Sequence, residues 1–493
     1  MTPLWSLLFP FAGALAVLLL PARAAALSRV IALAASLGTT IAAASGCLKR
    51  LGDTASPVWS LDLEWISQLG SRFHLAADGL ALPLLLLNGI VAIAGVLFSW
   101  NITHRPRAFF SLVLAIIGGV SGVFLSRDAF LMFVFYEIVI VPKYLLIVAW
   151  GSTNREYGAM KLTMYSIGAS ALILLGLAAA YAASGSAGFD IAGLAAAGFP
   201  KGFQLWAFPV LFLGFVVLAG IWPFHTWAPT GHVAAPTAAS MLLAGVVMKL
   251  GAYGALCVAM PLFPDGFAFW RPAIAVLAVA GILHGAFTAL TRRDLKFVIG
   301  YSSVSHMGFI LLGMAAATHW GLRGAVLQMI SHGIIAGLLF GIAGRVIYER
   351  THTRDLDALQ RFNLWKSLPA AAVAFTLASA ASMGLPGFSG FVAEVSVLIG
   401  LWESYPWLVP LVALGILITG AFTLRALCRT CFPDAAASLA IPVRMPSLTW
   451  PETTAIVLLL AVSLAIGLHP SPWISLINDG LDSPVFQPIL QRP

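Results

Sequence analysis

Long apolar segments recur along the whole chain and indicate a bundle of membrane-spanning helices. The protein has 493 residues, of which 60% are hydrophobic and only 9% are charged, whereas a soluble chain carries roughly 25% charged residues. Apolar stretches of about 20 residues, long enough to cross a bilayer as a helix, follow one another from end to end, and we count about fourteen. The sequence therefore predicts an all-α polytopic membrane protein without a separate soluble domain.

The first apolar segment, from Pro3 to Pro21, is expected to be the first span rather than a signal peptide. No basic region precedes it, and the residues that follow it make a poor cleavage site. With the N-terminus outside, most Lys and Arg residues fall in short cytoplasmic loops, as the positive-inside rule requires. The cytoplasmic set includes Arg105, Arg107, Arg155, Arg292, Arg293, Arg345, Arg350, Arg354 and Lys366. The net charge of +8 thus reflects membrane topology and does not indicate nucleic-acid binding.

Two of the predicted spans are interrupted by proline and glycine. Span seven loses its regularity at residues 220–223, and span twelve is interrupted at residues 384–390. Corresponding breaks in two halves of a transporter indicate inverted repeats around a site at the midplane. Because the breaks lie five spans apart, the two five-helix repeats should have opposite orientations. We divide the chain into N-terminal helices at 1–107, a first repeat at 108–262, a second, inverted repeat at 263–430, and a C-terminal helix and tail at 431–493.

Several ionisable residues fall inside the apolar segments. Lys249 lies in the middle of span eight, and Glu137 lies about nine residues into span five, close to the midplane. Glu394 follows the break in span twelve, and His306 and His332 lie in spans ten and eleven. Such residues are costly at this depth unless they face a partner or a wet cavity. Because histidine binds and releases protons near neutral pH, the set predicts a proton relay.

Other interpretations of these residues stay open. Glu137 and Lys249 can hold helices together as an ion pair, and each histidine can be a hydrogen-bonded packing residue. Lys143 follows Glu137 by six residues, so the two do not share a helix face in the i,i+4 sense. It is either a second lysine of the relay or a side chain that extends to the cytoplasmic membrane edge.

Cofactor motifs are not found in the sequence. There is no glycine-rich nucleotide loop and no haem motif, and the four cysteines do not form a cluster. Cys428 and Cys431 form a CxxC pair, but a metal site needs two more ligands, and the other cysteines are expected near the opposite face. We therefore expect no redox cofactor in this chain.

A series of short motifs occurs in a fixed order along the spans. They are Asp78-Gly79-Leu80, Tyr136-Glu137, His225-Thr226-Trp227, Ala235-Pro236-Thr237, Leu243 to Gly251, Tyr301-Ser302-Ser303 with His306-Met307-Gly308, Ser331-His332-Gly333, Tyr348 to Arg354, and Gly384-Leu385-Pro386-Gly387 through Glu394. In this order they resemble the antiporter-like membrane subunits of respiratory complex I, an NADH-quinone oxidoreductase, and most closely the subunit M group (mitochondrial subunit 4). The resemblance covers nearly the whole chain.

The resemblance implies a hydrophilic axis along the membrane midplane that carries protons. It assigns translocation to Glu137, Lys249 and Glu394, with His306 and His332 as connecting groups. It also implies that NADH, FMN, iron–sulfur clusters and quinone are bound by other subunits. L-like and N-like antiporter subunits would be the partners, in an inner (plasma) membrane of bacterial type.

Three departures from the family pattern bear on the first half of the predicted path. Leu218 stands where the family has a lysine, and Thr230 and Ala234 stand where it has acidic residues. Lys143 is a candidate replacement for the missing lysine. Two alternatives therefore remain: a subunit of a cation/proton antiporter or membrane-bound hydrogenase, and a structural spacer that is impaired in translocation.

Overall fold

The computed structural model describes residues 2–21, 24–53, 59–185, 188–433 and 445–491. Within them, twelve helices are long and apolar enough to cross a membrane. They are α2 (Ala25–Gly52), α3 (Ala81–Phe98), α4 (Pro106–Leu125), α5 (Ala129–Trp150), α6 (Arg155–Ala183), α8 (Lys201–Ala219), α10 (Thr237–Leu262), α11 (Pro264–Thr291), α12 (Leu295–Ala316), α13 (His319–Thr351), α16 (Pro406–Cys431) and α17 (Trp450–Leu468). The all-α membrane fold predicted from the sequence is confirmed.

Shorter helices complete the bundle. They are α1 (Trp5–Leu19), α7 (Ile191–Ala196), α9 (Trp227–Ala234), α14 (Pro369–Ser382), α15 (Ser389–Ser404) and α18 (Ser471–Leu481). The count of fourteen spans stays a prediction, because it requires α1 and the broken pair α14–α15 to cross the membrane as well. The division into inverted repeats likewise stays a prediction.

The loop between α2 and α3 folds into a two-stranded antiparallel hairpin. Strand β1 (Ser60–Ile66) pairs with β2 (Ser71–Ala76). The hairpin is fastened to the start of α5, where Asp128 accepts hydrogen bonds from the backbone N–H of Arg72 and from the hydroxyl of Ser71. The same carboxylate caps α5 by accepting from the N–H of Leu131.

Both predicted helix breaks are present. Helix α8 ends at Ala219, and Gly220 follows with φ +68°, a left-handed conformation that glycine adopts without steric cost. The second break separates α14 from α15 and contains Gly384 (φ +68°) and Gly387 (φ +97°). Each break therefore lies beside a glycine that lets the chain leave the helical path inside the bundle.

Helices α10 and α13 form the centre of the bundle. The most apolar stretch of each is fully buried. Each contains π-helical turns: residues 243–247 and 255–259 in α10, and residues 342–347 in α13. The two helices meet where Gly245 faces Gly333, and a Cβ atom at Gly333 would lie 2.6 Å from the carbonyl oxygen of Gly245. Small residues at such crossings let helix backbones in membranes approach closely.

A substitution at this crossing tests its importance for stability. We expect Gly333→Ala to lower the free energy of unfolding by about 1–3 kcal/mol, because the added methyl group overpacks a crossing that cannot relax easily. The matched control is Gly168→Ala on α6, where a Cβ meets nothing within 4 Å. Thermal unfolding of the full chain in detergent measures both, and an equal melting temperature for the two variants would contradict the expectation.

Candidate functional site

Lys249 lies at the centre of the site, fully buried in α10. Its Nζ atom is 2.7 Å from Nδ1 of His332 on α13 and also donates a hydrogen bond to the carbonyl oxygen of Ala244. When Lys249 is protonated, its ammonium donates to Nδ1 of His332; when Lys249 is a neutral amine, its nitrogen can accept from a protonated Nδ1. The pair can therefore pass a proton between two nitrogen atoms that already share a hydrogen bond.

The local fold explains this geometry. The π turn at 243–247 shifts the backbone hydrogen bonds by one residue, and Ala244, which accepts from Lys249, lies within it. The glycine crossing at Gly245 and Gly333 lies one turn before Lys249 and next to His332, so the close backbone approach brings the two side chains together. At an ordinary distance between two helices, the side chains of Lys249 and His332 would not meet.

His306 and Glu394 continue the site away from Lys249. The imidazole rings of His332 and His306 lie 5.3 Å apart between centroids. Nδ1 of His306 is 3.0 Å from the side-chain amide nitrogen of Gln328 and 3.7 Å from a carboxylate oxygen of Glu394. Both His306 and Glu394 are buried. Four of the residues predicted from the sequence thus form one continuous group.

Gly384 in the second helix break leaves room for Glu394. A Cβ atom at Gly384 would contact a carboxylate oxygen of Glu394. The break therefore does more than interrupt a span, because its glycine makes space for the acid at the end of the group. Neither its left-handed backbone nor its contact with the carboxylate suits a larger residue.

Glu137 and Lys143 form a second group, on α5. The Nζ atom of Lys143 donates to the hydroxyl of Ser166 at 2.9 Å, and the hydroxyl of Ser170 donates to the carboxylate of Glu137. The two serines lie one turn apart on α6. Glu137 is also close enough to Lys143 for their charges to interact. Each of the two charges thus binds its own serine on α6, and the hydroxyl of Ser166 donates to the carbonyl oxygen of Leu162.

The side chain of Lys143 does not extend to the membrane edge, which was one of two interpretations of the sequence. It is 1% exposed and lies 5.5 Å from the ring centroid of Tyr136. The alternative ion pair between Glu137 and Lys249 is likewise not formed within the described ranges. Glu137 binds Ser170 instead, and Lys249 binds Ala244 and His332.

Leu218 packs beside residues that are chain neighbours of both groups. With Tyr136, Leu250 and other apolar residues it lines a cavity of about 10 Å³, in the place where the sequence comparison predicted a lysine. Leu250 directly follows Lys249 in the chain, and Tyr136 directly precedes Glu137. These residues around Leu218 form an apolar wall with little space for water.

Two of the buried ionisable residues that the sequence interpretation missed lie near the site. His232 on α9 and Lys296 at the start of α12 are 0% and 4% exposed. The sequence does carry a signal for Lys296: Asp294 is a helix N-cap, which places Lys296, two residues later, in the first turn of a helix.

Cavities approach the site from both faces. One of about 350 Å³ lies on the side of the basic loops and is lined by Lys296, Thr237 and Arg354 among others. Another of about 170 Å³ lies on the opposite side, beside His74, Asp190 and Tyr253. A hydrogen bond with His74 lowers the pKa of Asp190. Tyr253 lies one helical turn after Lys249, so this cavity comes close to the central lysine.

Substitution of the buried lysines tests whether these residues stabilise the fold. Replacing a buried ionised group by an apolar side chain of similar volume is often neutral or stabilising, by about 1–4 kcal/mol. We therefore expect Lys249→Met and Lys143→Met to keep or raise the melting temperature of the full chain in detergent.

The control is Arg350→Met on the cytoplasmic side. Arg350 pairs at 2.8 Å with Glu452, whose side chain is 1% exposed. Glu452 keeps Arg345 as a partner, so loss of the Arg350 bond should destabilise the chain by about 1.5–3 kcal/mol. If Lys249→Met and Lys143→Met lower the melting temperature as much as Arg350→Met does, the lysines are structural.

Comparison with known proteins gives consistent results. The family described as NADH:quinone oxidoreductase/Mrp antiporter, TM, matches residues 126–419. The NAD(P)H-quinone oxidoreductase chain 4 1 of Synechococcus sp. (strain JA-3-3Ab) is 41% identical over 416 residues, which are 82% of this chain and 78% of that protein.

Solved structures agree with these relatives. A chain of respiratory complex I from Thermus thermophilus with bound NADH superposes with a TM-score of 0.88 at 25% identity, covering 99% of both chains. A chain of the Mrp complex from Dietzia sp. DQ12-45-1b superposes with a TM-score of 0.84 at 21% identity, covering 99% of this chain and 100% of that one. The second likeness bears on the fold alone.

Proposed function

Because the chain belongs to the family of membrane subunits shared by NADH:quinone oxidoreductases and Mrp antiporters, we propose that it is a proton-translocating subunit of a quinone oxidoreductase of the complex I type. The observation that carries this proposal is the continuous group Lys249, His332, His306 and Glu394, which joins four helices inside the membrane. Redox chemistry and its cofactors, NADH, FMN, iron–sulfur clusters and quinone, belong to other subunits. L-like and N-like antiporter subunits are its neighbours in a bacterial-type inner membrane.

The proton path runs along the membrane plane. A proton on the Lys249 ammonium passes to Nδ1 of His332, whose ring then releases a proton from Nε2 toward His306. His306 passes one on to the Glu394 carboxylate, 3.7 Å from its Nδ1 atom, after the Gln328 amide nitrogen that faces Nδ1 at 3.0 Å has rotated away and Nδ1 can carry the proton. These transfers need side-chain rotations and no large movement of a helix.

Glu137, in the second group of the site, couples proton transfer to a neighbouring subunit. Glu137 is half-buried, and the adjacent Ile138 and Val141 on the same helix are exposed. A carboxylate facing lipid is unfavourable, so a partner subunit is expected to cover this face. A charge presented by that partner changes how strongly Glu137 holds Lys143, and opposite charges in low dielectric interact over several ångströms.

Lys143 takes the part of the lysine that is missing at Leu218. It is buried and binds Ser166, one turn before the Ser170 that binds Glu137. No carboxylate pairs with it within 4.0 Å in the described part of the chain. When Glu137 is drawn to its neighbour, the positive charge of Lys143 is less compensated and repels the proton on Lys249. The apolar wall at Leu218 fits this role, since it favours coupling by charge over direct proton transfer.

Proton pumping by the assembled complex tests the proposal. We expect Lys249→Ala to abolish the share of pumping that this subunit contributes, because it removes the first proton carrier of the group. Pumping in vesicles and electron transfer are recorded in parallel for wild type and variant. If the variant complex is assembled and pumps as many protons per electron as wild type, this chain does not lie on the proton path.

A paired substitution tests Lys143. We expect Lys143→Met to lower the number of protons pumped per electron, and Leu218→Lys in the same chain to restore at least part of it, because a lysine returns near Glu137 from α8. Leu218→Met is the size control for the second position. Normal pumping by Lys143→Met would remove Lys143 from the mechanism.

Two alternative functions give different results in the same vesicles. A cation/proton antiporter subunit or a membrane-bound hydrogenase subunit would show sodium-dependent transport, or would purify without flavin and iron–sulfur subunits. A structural spacer would leave pumping intact in Glu137→Gln while assembly still requires the chain. The 41% identity to a quinone oxidoreductase chain favours the proposed function over both.

A further inference from the structure

The cavity on the side of the basic loops ends at a buried lysine. It has a volume of about 350 Å³, and its outer part includes Asn101 and Glu349, which are exposed. Lys296 lines the same cavity and is only 4% exposed. The cavity thus leads from the cytoplasmic surface to an amine inside the bundle.

Lys296 is held loosely. Its Nζ atom donates to the carbonyl oxygen of Ala235 at 3.1 Å, in the link between α9 and α10. No carboxylate lies within 4.0 Å of it in the described residues, because the nearby Asp294 pairs with Arg354 at 3.2 Å. An ammonium has three donors, so the remaining N–H groups are free to face the cavity.

The other basic residues of the cavity are compensated. Arg345 pairs with Glu452 at 2.9 Å and also contacts Glu349, and Arg354 pairs with Asp294. An anion or a lipid phosphate entering the cavity would therefore meet one uncompensated charge only. This arrangement suits the passage of protons better than the binding of an anion.

His232 lies on α9, three residues before Ala235, whose carbonyl oxygen accepts from Lys296. It is fully buried and packs near the rings of Phe340 and Trp227. Neither of its ring nitrogens has a hydrogen-bond partner within the described ranges. Buried polar atoms are nearly always hydrogen-bonded in native proteins, so an imidazole with two free nitrogens at this position requires an explanation.

We propose that Lys296 and His232 form the cytoplasmic entry that loads Lys249 with protons, a step that rests on the proposed function. The neutral amine of Lys296 takes a proton from water in the cavity. An N–H bond of the ammonium then breaks as an N–H bond forms on one ring nitrogen of His232, and the imidazolium releases the proton on its other nitrogen toward the amine of Lys249. One proton enters and one leaves at each step.

Thr230 and Ala234, which stand where the family has acidic residues, agree with proton entry through Lys296 and His232. Both lie on the α9 segment with His232, and neither can carry a proton. Asp294 and Arg354 are engaged with each other, and Arg345 with Glu452. Among the described residues that line or adjoin the inner cavity, Lys296 and His232 are the ionisable groups left without such a partner.

A substitution series in the assembled complex tests the entry. We expect Lys296→Met, Lys296→Arg and His232→Phe each to reduce pumping in vesicles to the level of Lys249→Ala. Arginine is the informative replacement, because it keeps the positive charge and donors but does not release its proton. Lys366→Met, in an exposed cytoplasmic position, is the control and should pump normally. Normal pumping by Lys296→Arg would mean that Lys296 only supplies a charge, and would overturn the proposal.

A second measurement does not depend on replacing the buried residues. Thr237→Cys places a thiol in the cavity wall, in a Cys428→Ser background that removes the exposed native thiol. We expect a charged, membrane-impermeant thiosulfonate reagent to label it from the cytoplasmic side and to stop the pumping of this subunit. Labelling that leaves pumping unchanged would overturn the entry.

The outcomes for the entry and for the proposed function are distinct. If Lys249→Ala stops pumping while Lys296→Met, His232→Phe and labelled Thr237→Cys all pump normally, the relay stands and its entry lies elsewhere. If Lys249→Ala itself pumps normally, the proposed function fails first.

Discussion

The hydrogen bond between Lys249 and His332 depends on the contact of two helix backbones at Gly245 and Gly333. In a bilayer interior, where water does not compensate a charge, an ammonium needs a partner at short range. The glycine crossing provides one by bringing α10 and α13 together at the level of the lysine. The π turn before Lys249 adds the carbonyl of Ala244 as a second acceptor. The same few residues thus pack the two helices together and stabilise the charge of Lys249. The rest of the relay continues from Lys249 and His332.

The membrane fold could be predicted from the sequence because the bilayer imposes one length and one polarity on every span. For the same reason Lys249, His306, His332 and Glu394 were identifiable, since an ionisable residue inside a long apolar segment has few structural explanations. Both helix breaks were also predicted, because glycine and proline act locally on the backbone.

The distances within the site could not be predicted in this way. They depend on which helices cross and how closely, and no periodicity in a single chain reports that. The π turns were missed because a shift from i→i+4 to i→i+5 bonding leaves apolar composition unchanged. Lys296 and His232 were missed because they lie near span ends, where charged residues are common and carry little information. Whether fourteen segments cross the membrane depends on α1 and α14–α15, which are shorter than an ordinary span.

The half-buried position of Glu137 has a consequence for the biosynthesis of this subunit. Before assembly, the chain presents a carboxylate on an otherwise apolar lateral surface, beside Ile138 and Val141. An acidic residue at this depth costs about 2.5–3.5 kcal/mol when it faces lipid. Docking of the neighbouring subunit removes that cost, so the residue that senses the neighbour also distinguishes an orphaned copy from an assembled one. Membrane quality control that recognises exposed polar groups within the bilayer would therefore act on the free subunit and spare the complex.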